Sequence, residues 1–212
     1  TTIYPLETGG LQGVDLLIKG AEREVELGSA MCIGDFNGDG VMDLAVGSTR
    51  SNSPRGVVEA GTVSVFFGGS DYNNLPKKFE AVKDGQESAL LYGSSDNEYV
   101  GEFLAAGDLN NDGVDDLVVA AQRVLDTGMP VSAEKAKIYI LYGGAGFSGN
   151  ISLASKADVI IQRTDSMHAE TILVGDVNND GIDDLVISDI LTDSVTAPPV
   201  APLTNGNKRE RN

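Results

Sequence analysis

The apolar residues of this chain fall in short runs, not in the long stripes of amphipathic helices. Three such runs begin at Ala30, Phe103 and Thr171, and each is followed about ten residues later by a second run that begins with leucine. Runs of this length, bounded by Gly and Asp, are typical of buried strands. The paired runs are Ala30–Ile33 with Leu44–Val46, Phe103–Ala106 with Leu117–Val119, and Thr171–Val174 with Leu185–Ile187.

A polar loop with one fixed pattern separates the two strands of every pair. Residues 35–44, 108–117 and 176–185 all read D-x-N-x-D-G-[VI]-x-D-L. Oxygen-bearing side chains stand at positions 1, 3, 5 and 9, and the glycine at position 6 permits the positive φ of a tight reversal. Oxygen ligands on an adaptable loop suit Ca²⁺, with a backbone carbonyl from position 7, better than the stricter octahedron of Mg²⁺.

The residues around the loops exclude an EF-hand, the commonest calcium loop. An EF-hand has Glu at position 12 and a helix on each side. Position 12 is here Val46, Val119 and Ile187, and the flanking runs are strands. The predicted unit is therefore strand, calcium loop, strand.

Further strands complete a long-period repeat. A third strand is predicted at Thr62–Phe67 and Lys137–Tyr142, and a fourth at Lys78–Val82 and Asp158–Ile161. Thr2–Tyr4 and Asp15–Lys19 match the third and fourth strands at the N-terminus. Four-stranded antiparallel repeats without helices predict an all-β fold, a β-propeller.

The repeat divides the chain into three blades' worth of strands, with one blade split between the termini. The predicted parts are a half blade at 1–26, blades at 27–99 and 100–166, a half blade at 167–192, and a Pro-rich linker with a polar tail at 193–212. Closed propellers typically have about four to eight blades. Three blades' worth of strands can therefore be explained in three ways. The chain is part of a larger propeller, or several chains join end to end to complete one, or the propeller closes in an unusual way.

This arrangement resembles the FG-GAP repeat of integrin α-subunit propellers. Leu27-Gly28 and Val100-Gly101 stand at the "FG" position and Gly47-Ser48-Thr49 at the "GAP" position, whereas His168-Ala169 departs from the pattern. The resemblance implies three Ca²⁺ sites with a structural role. The ligands that it implies are Asp35, Asn37, Asp39, Val41 and Asp43; Asp108, Asn110, Asp112, Val114 and Asp116; and Asp176, Asn178, Asp180, Ile182 and Asp184.

Charge narrows the range of partners and compartments. The formal net charge is −17, and three Ca²⁺ would bring it to −11 because each adds +2. Such acidity argues against nucleic acid and anionic membranes as partners. No apolar run is long enough to span a membrane. Calcium loops of this kind fill at the near-millimolar Ca²⁺ found outside cells, so we expect an extracellular or cell-surface protein.

Two functions fit these features. The first is a non-enzymatic calcium-binding module for adhesion, for binding a protein or a surface glycan, or for self-assembly into an oligomer or polymer through the split blade. The alternative is an accessory, non-catalytic propeller of a secreted hydrolase or lyase. Tyr72, Tyr92, Tyr99 and Phe147 are expected in inter-strand loops, either as a binding rim or packed beneath the loops.

Overall fold

The computed structural model describes residues 17–19, 25–69, 78–80, 87–121, 136–162 and 168–190. Within these ranges the chain forms thirteen strands and one short helix, which confirms the all-β prediction. The elements are β1 Leu17–Lys19, β2 Leu27–Gly34, β3 Asp43–Ser48, β4 Thr62–Phe66, β5 Lys78–Glu80, β6 Ala89–Tyr92, β7 Val100–Gly107, β8 Asp116–Ala121, β9 Lys137–Leu141, β10 Gly149–Ser152, α1 Leu153–Lys156, β11 Val159–Gln162, β12 His168–Gly175 and β13 Asp184–Ile190.

Each predicted loop joins two antiparallel neighbours. Strand β2 pairs with β3, β7 with β8, and β12 with β13. Each of the three loops therefore connects the two strands of one β-hairpin. Two hairpins extend into sheets in the orders β2-β3-β4-β6-β10 and β7-β8-β9-β11. The first four strands of each sheet are antiparallel, as a propeller blade requires.

The fourth strand of the first sheet differs from the sequence prediction. Strand β6, at Ala89–Tyr92, pairs with β4 in that position. The predicted segment contains β5, but Lys78–Glu80 pairs in parallel with Leu17–Lys19. The apolar run Ala89–Tyr92 fits the fourth position because all four of its residues are buried. In the second sheet the prediction is confirmed, since Val159–Gln162 pairs with β9.

Strands β5 and β10 are equivalent, and we call them clasp strands. Each lies between the third and fourth strands of its own repeat, yet pairs in parallel with a strand about sixty residues earlier in the chain. Clasp strand β10 lies along β6, the outermost strand of the preceding sheet. Strand β1 has the same relation to β5 that β6 has to β10, and its place as the fourth strand of an N-terminal half blade stays a prediction.

The core lies between neighbouring sheets, and the second sheet is buried on both faces. Leu117 and Val119 of β8 pack towards the first sheet, whereas Val118 and Ala120 pack towards β12 and β13. All six residues of β8 are buried, and after Asp116 the strand is a continuous apolar run instead of an alternating one. Stacked blades therefore share their cores.

Gly47 and Gly101, which stand at the "GAP" and "FG" positions, meet at the joint between the first two sheets. Gly28 and Gly101 lie in register shifts of their hairpins and have φ of 91° and 96°. A Cβ on Gly47 would collide with the carbonyl oxygen of Gly101. Gly47 and Gly101 therefore permit close backbone contact between successive blades, whereas a Cβ on Gly28 would meet no atom within 4 Å.

Candidate metal loops

The position-1 carboxylate folds each loop around itself. In the first loop, Oδ1 of Asp35 accepts the N–H of Asp39 at 3.0 Å, and Oδ2 accepts the N–H of Gly40 at 2.8 Å. Asp108 and Asp176 accept the same pair of N–H groups at the same two distances. The position-6 glycines have φ between 84° and 89°, as predicted for a reversal.

The position-5 carboxylate holds the second half of the loop. Asp39 Oδ1 accepts the N–H of Val41 at 2.9 Å. In the other two loops, Asp112 Oδ1 accepts the N–H of Val114 and Asp180 Oδ1 accepts the N–H of Ile182. These bonds orient residue 7, whose carbonyl the resemblance assigns to the metal. All three loops thus share one conformation, as their common pattern predicts.

The position-9 carboxylate is the anchor of the loop in the blade. Asp43 and Asp116 have no exposed surface. Asp43 accepts the N–H of Phe36 at 3.0 Å and that of Gly68 at 2.8 Å, and so ties the loop to the end of β4. Asp116 makes the equivalent bonds to Leu109 and Gly143.

Burial of these anchors changes their acidity. Burial raises the pKa of Asp116 to about 6, and the neighbouring carboxylates of Asp112 and Asp108 raise it further, against the lowering effect of its backbone hydrogen bonds. Burial also raises the pKa of Asp43, with a smaller contribution from Asp39. The charged form is therefore costly in the absence of a cation.

The position-3 asparagine of the second loop also has an oxygen that fits a cation. In the second loop Asn110 Nδ2 donates to Asp116 at 3.4 Å, while its buried Oδ1 has no hydrogen-bond partner among the described residues. A buried amide oxygen in this condition is costly unless something binds it. A hard cation is a suitable partner for such an oxygen.

The acidic side chains of each loop do not converge fully on one point. Among the described residues, no three His, Cys, Asp or Glu side chains come together as a metal-binding group. The position-1 and position-5 oxygens are directed at loop N–H groups, which accounts for part of this separation. Coordination by the fifteen residues named above therefore stays a prediction.

Sequence reasoning gave no role to two acids that the structure places between blades. Asp115 and Asp183 stand at loop position 8, and each contacts the backbone of the preceding loop. The available signal was an acid at position 8 in loops two and three, where the first loop has Met42.

The aromatic residues expected in loops are largely internal. Tyr92 is a buried residue of β6, and Phe147 is buried with its ring stacked on Phe36, 5.7 Å between centroids. Tyr72 lies outside the described residues. Tyr92 and Phe147 therefore do not form a binding rim.

The family comparison agrees with this architecture. The FG-GAP repeat model matches residues 27–66 and 100–140, which span the first and second loop-bearing units through their third strands. The chain therefore carries FG-GAP repeats, and its fold is of the β-propeller class that the sequence predicted.

Relatives in two groups of proteins share the repeat region. Phosphatidylinositol-glycan-specific phospholipase D of Bos taurus is 32% identical over 161 residues, 76% of this chain and 18% of that protein. Integrin alpha-3 of Mus musculus is 30% identical over 66% of this chain and 12% of the integrin, and integrin alpha-4 of Xenopus laevis is 26% identical over 83% and 15%. The chain thus spans less than a fifth of each relative. Within its described residues, no helix is long and apolar enough to cross a membrane.

Proposed function

We propose that this chain is a calcium-stabilised FG-GAP propeller module that works by binding, with no catalytic role of its own. The observation that carries the calcium proposal is the buried anchor of each of the first two loops. Asp43 and Asp116 are buried beside further carboxylates, and within the described residues no loop acid forms an ion pair with lysine or arginine. A bound cation would supply the compensating charge that the described residues do not provide for these carboxylates.

Bound calcium would supply charge neutralisation and a rigid link between the strands of a hairpin. The side-chain oxygens at positions 1, 3, 5 and 9 and the carbonyl at position 7 would hold it. The chain's own residues prepare the loop, because the position-1 and position-5 carboxylates already fix residues 5, 6 and 7 through their N–H groups. The role is structural, since each loop lies inside a blade hairpin.

Thermal unfolding with calcium and with EDTA tests this proposal. We expect a higher midpoint in calcium, because a ligand that binds only the folded state at a hundred times its Kd adds about 2.7 kcal/mol per site. Calorimetric titration should give three sites per chain. Equal midpoints in both buffers would contradict a structural role for calcium.

A matched pair of variants in the second loop makes the test specific. Asp112→Ala removes a proposed ligand and should reduce the stoichiometry from three to two. Asn111→Gly alters the adjacent position 4, whose residue in the first loop is Gly38 with the same left-handed conformation, and should leave three sites. Loss of a site in Asn111→Gly would point to loop shape as the determinant.

The partner that we propose is a protein or glycan at an extracellular or cell surface, as the integrin resemblance implies. The phospholipase D matches favour a second candidate, an accessory propeller of a secreted hydrolase. The full reading frame distinguishes the two. A catalytic domain in the same polypeptide would favour the accessory role.

A further inference from the structure

The joint between the first two loops is closed by a single acid. Asp115 Oδ2 accepts the backbone N–H of Asp35 at 2.8 Å, across 80 residues of sequence. The N–H of Asp115 donates in return to the carbonyl oxygen of Asp35 at 3.1 Å. One residue of the second loop thus holds both backbone polar groups of the residue that opens the first.

The next joint repeats this arrangement. Asp183 Oδ2 accepts the N–H of Asp108 at 3.0 Å, and the N–H of Asp183 donates to the carbonyl of Asp108 at 3.3 Å. Both joints therefore contain the same reciprocal pair of bonds between a position-8 acid and a position-1 backbone. The contact is therefore a recurrent feature of the repeat, since it occurs at both joints.

The backbone is shaped to admit the incoming acid. A Cβ on Gly34 would lie 3.1 Å from the Cβ of Asp115, and one on Gly107 would collide with Oδ2 of Asp183. Gly175 holds the same position before the third loop, and a Cβ there would meet no atom within 4 Å. A side chain at position 107 would thus displace the docked acid, and one at position 34 would crowd it together with Phe36 and Ala106, whereas open space surrounds Gly175.

We propose that Asp115 and Asp183 are positioning residues that couple neighbouring metal loops. Each fixes the backbone of the position-1 residue in the preceding loop, and that residue's carboxylate organises positions 5 and 6. Ordering of one loop therefore favours ordering of the next, and the coupling is reciprocal. Its calcium-dependent part rests on the proposed function, whereas the backbone bonds do not.

The first loop marks the end of the coupled series. Its position 8 is Met42, whose side chain is 58% exposed and can accept no N–H in the way a carboxylate does. Met42 therefore serves as an internal control position, equivalent in sequence but without the docking oxygen.

Hydrogen exchange of individual amides in EDTA tests the positioning role. Asp115→Ala should speed exchange of the Asp35 amide on the order of tenfold and that of the Asp108 amide much less, because a charge-assisted bond is lost at the first joint and the Asp108 amide is affected only through the coupling between loops. Asp183→Ala should give the reverse pattern, and Met42→Ala should change neither. Unchanged exchange at both amides, or equal acceleration of both in each variant, would overturn the proposal.

Two further measurements test the proposal if the alanine variants do not fold or if the chain does not bind calcium. Asp115→Asn retains an acceptor oxygen and should keep the Asp35 amide protected; loss of protection equal to that in Asp115→Ala would overturn the hydrogen-bond role. In a titration with calcium chloride, Asp115→Ala should weaken the first-loop site on the order of tenfold. If the unmodified chain takes up no calcium, the proposed function fails, while the exchange pattern still decides the positioning role.

Discussion

Glu98 shows how a single buried acid is accommodated when the chain itself supplies the partners. Its Oε2 accepts the N–H groups of Ser94 and Ser95 at 2.7 and 3.0 Å, and its Oε1 accepts Lys137 Nζ at 3.1 Å and the hydroxyl of Tyr139. Burial alone would raise the pKa of Glu98, but these donors outweigh it and lower the pKa below its usual value. The loop anchors Asp43 and Asp116 lack a basic partner among the described residues, and their pKa values move the other way.

The lowered pKa of Glu98 predicts a pH dependence of stability. A depressed folded-state pKa stabilises the fold above the unfolded pKa, and that contribution is lost as pH falls through the folded value. The free energy of unfolding should therefore decrease below a pH of about 4. Urea unfolding at several pH values measures this slope, which Glu98→Gln should reduce.

At neutral pH the Glu98→Gln variant should itself be less stable, by about 1–3 kcal/mol, because charged hydrogen bonds are replaced. Glu26→Gln is the control, since Glu26 is half exposed and pairs with Arg50 at the surface. Its effect should stay within about 1 kcal/mol. Equal effects of the two variants would contradict the importance of the Glu98 cluster.

Two equivalent glycines predict opposite tolerance to the same substitution. Gly107→Ala should cost about 1–3 kcal/mol, because its methyl group would collide with Asp183 and with Val174. Gly175→Ala should be close to neutral, since its Cβ meets open space. Thermal unfolding of both variants checks this, and equal destabilisation would show that backbone conformation decides the cost.

At the scale of elements, the loops and their hairpins could be predicted from sequence because both signals are local. The repeated acidic pattern fixes the turn, and apolar runs on either side fix the strands that pair across it. Position 6 has the predicted positive φ in all three copies. The clasp strands carried no such signal, since Gly149–Ser152 has one buried apolar residue, Ile151, and takes its partner from another blade.

The misplaced fourth strand has a related cause. Ala89–Tyr92 is a short apolar run between polar residues, as strands of this fold are, but Lys78–Val82 lay nearer to the position expected from the repeat. A clasp strand between the third and fourth strands shifts the spacing, and only pairing across blades reveals it. The position-8 acids were missed for the same reason, because their partners are 75 and 80 residues away.

The clasp of the second repeat on the first should contribute measurable stability. Phe147 leads into β10 and stacks on Phe36 of the first loop. Phe147→Ala should therefore cost about 3–5 kcal/mol. Ile160→Ala, at an exposed residue of β11, is the control and should cost well under that amount. Denaturant unfolding measures both, and a loss below about 1 kcal/mol for Phe147→Ala would contradict the clasp's role.

At the scale of the whole molecule, the stack of sheets has two open apolar faces. Met31 and Ile33 of β2 are 64% and 65% exposed, while their equivalents in β7, Leu104 and Ala106, pack against the core between the first two sheets. At the other end Leu173 of β12 is 61% exposed, although its equivalent, Ala105, is buried. Within the part of the chain that the structure describes, neither face has the neighbouring sheet that the internal joints possess.

Self-assembly through these faces stays a prediction, and light scattering tests it. Head-to-tail contact between copies is heterologous, so it would form a ring or a filament, and the mass in calcium should exceed 22.1 kDa. Met31→Glu and Leu173→Glu should each return it to the monomer. Val58→Glu, at another exposed apolar residue, should not. A monomer at every protein concentration would contradict self-assembly.

The clasp strands also set an order of events during synthesis. The outer edge of the first blade, Ala89–Tyr92, is covered by residues that the ribosome adds 60 positions later, Gly149–Ser152. Until those residues emerge, a nascent blade presents an uncovered strand edge to other chains. Completion of the first blade therefore waits for translation of the second, and ribosome pauses within that interval are when the nascent chain is most open to misassembly.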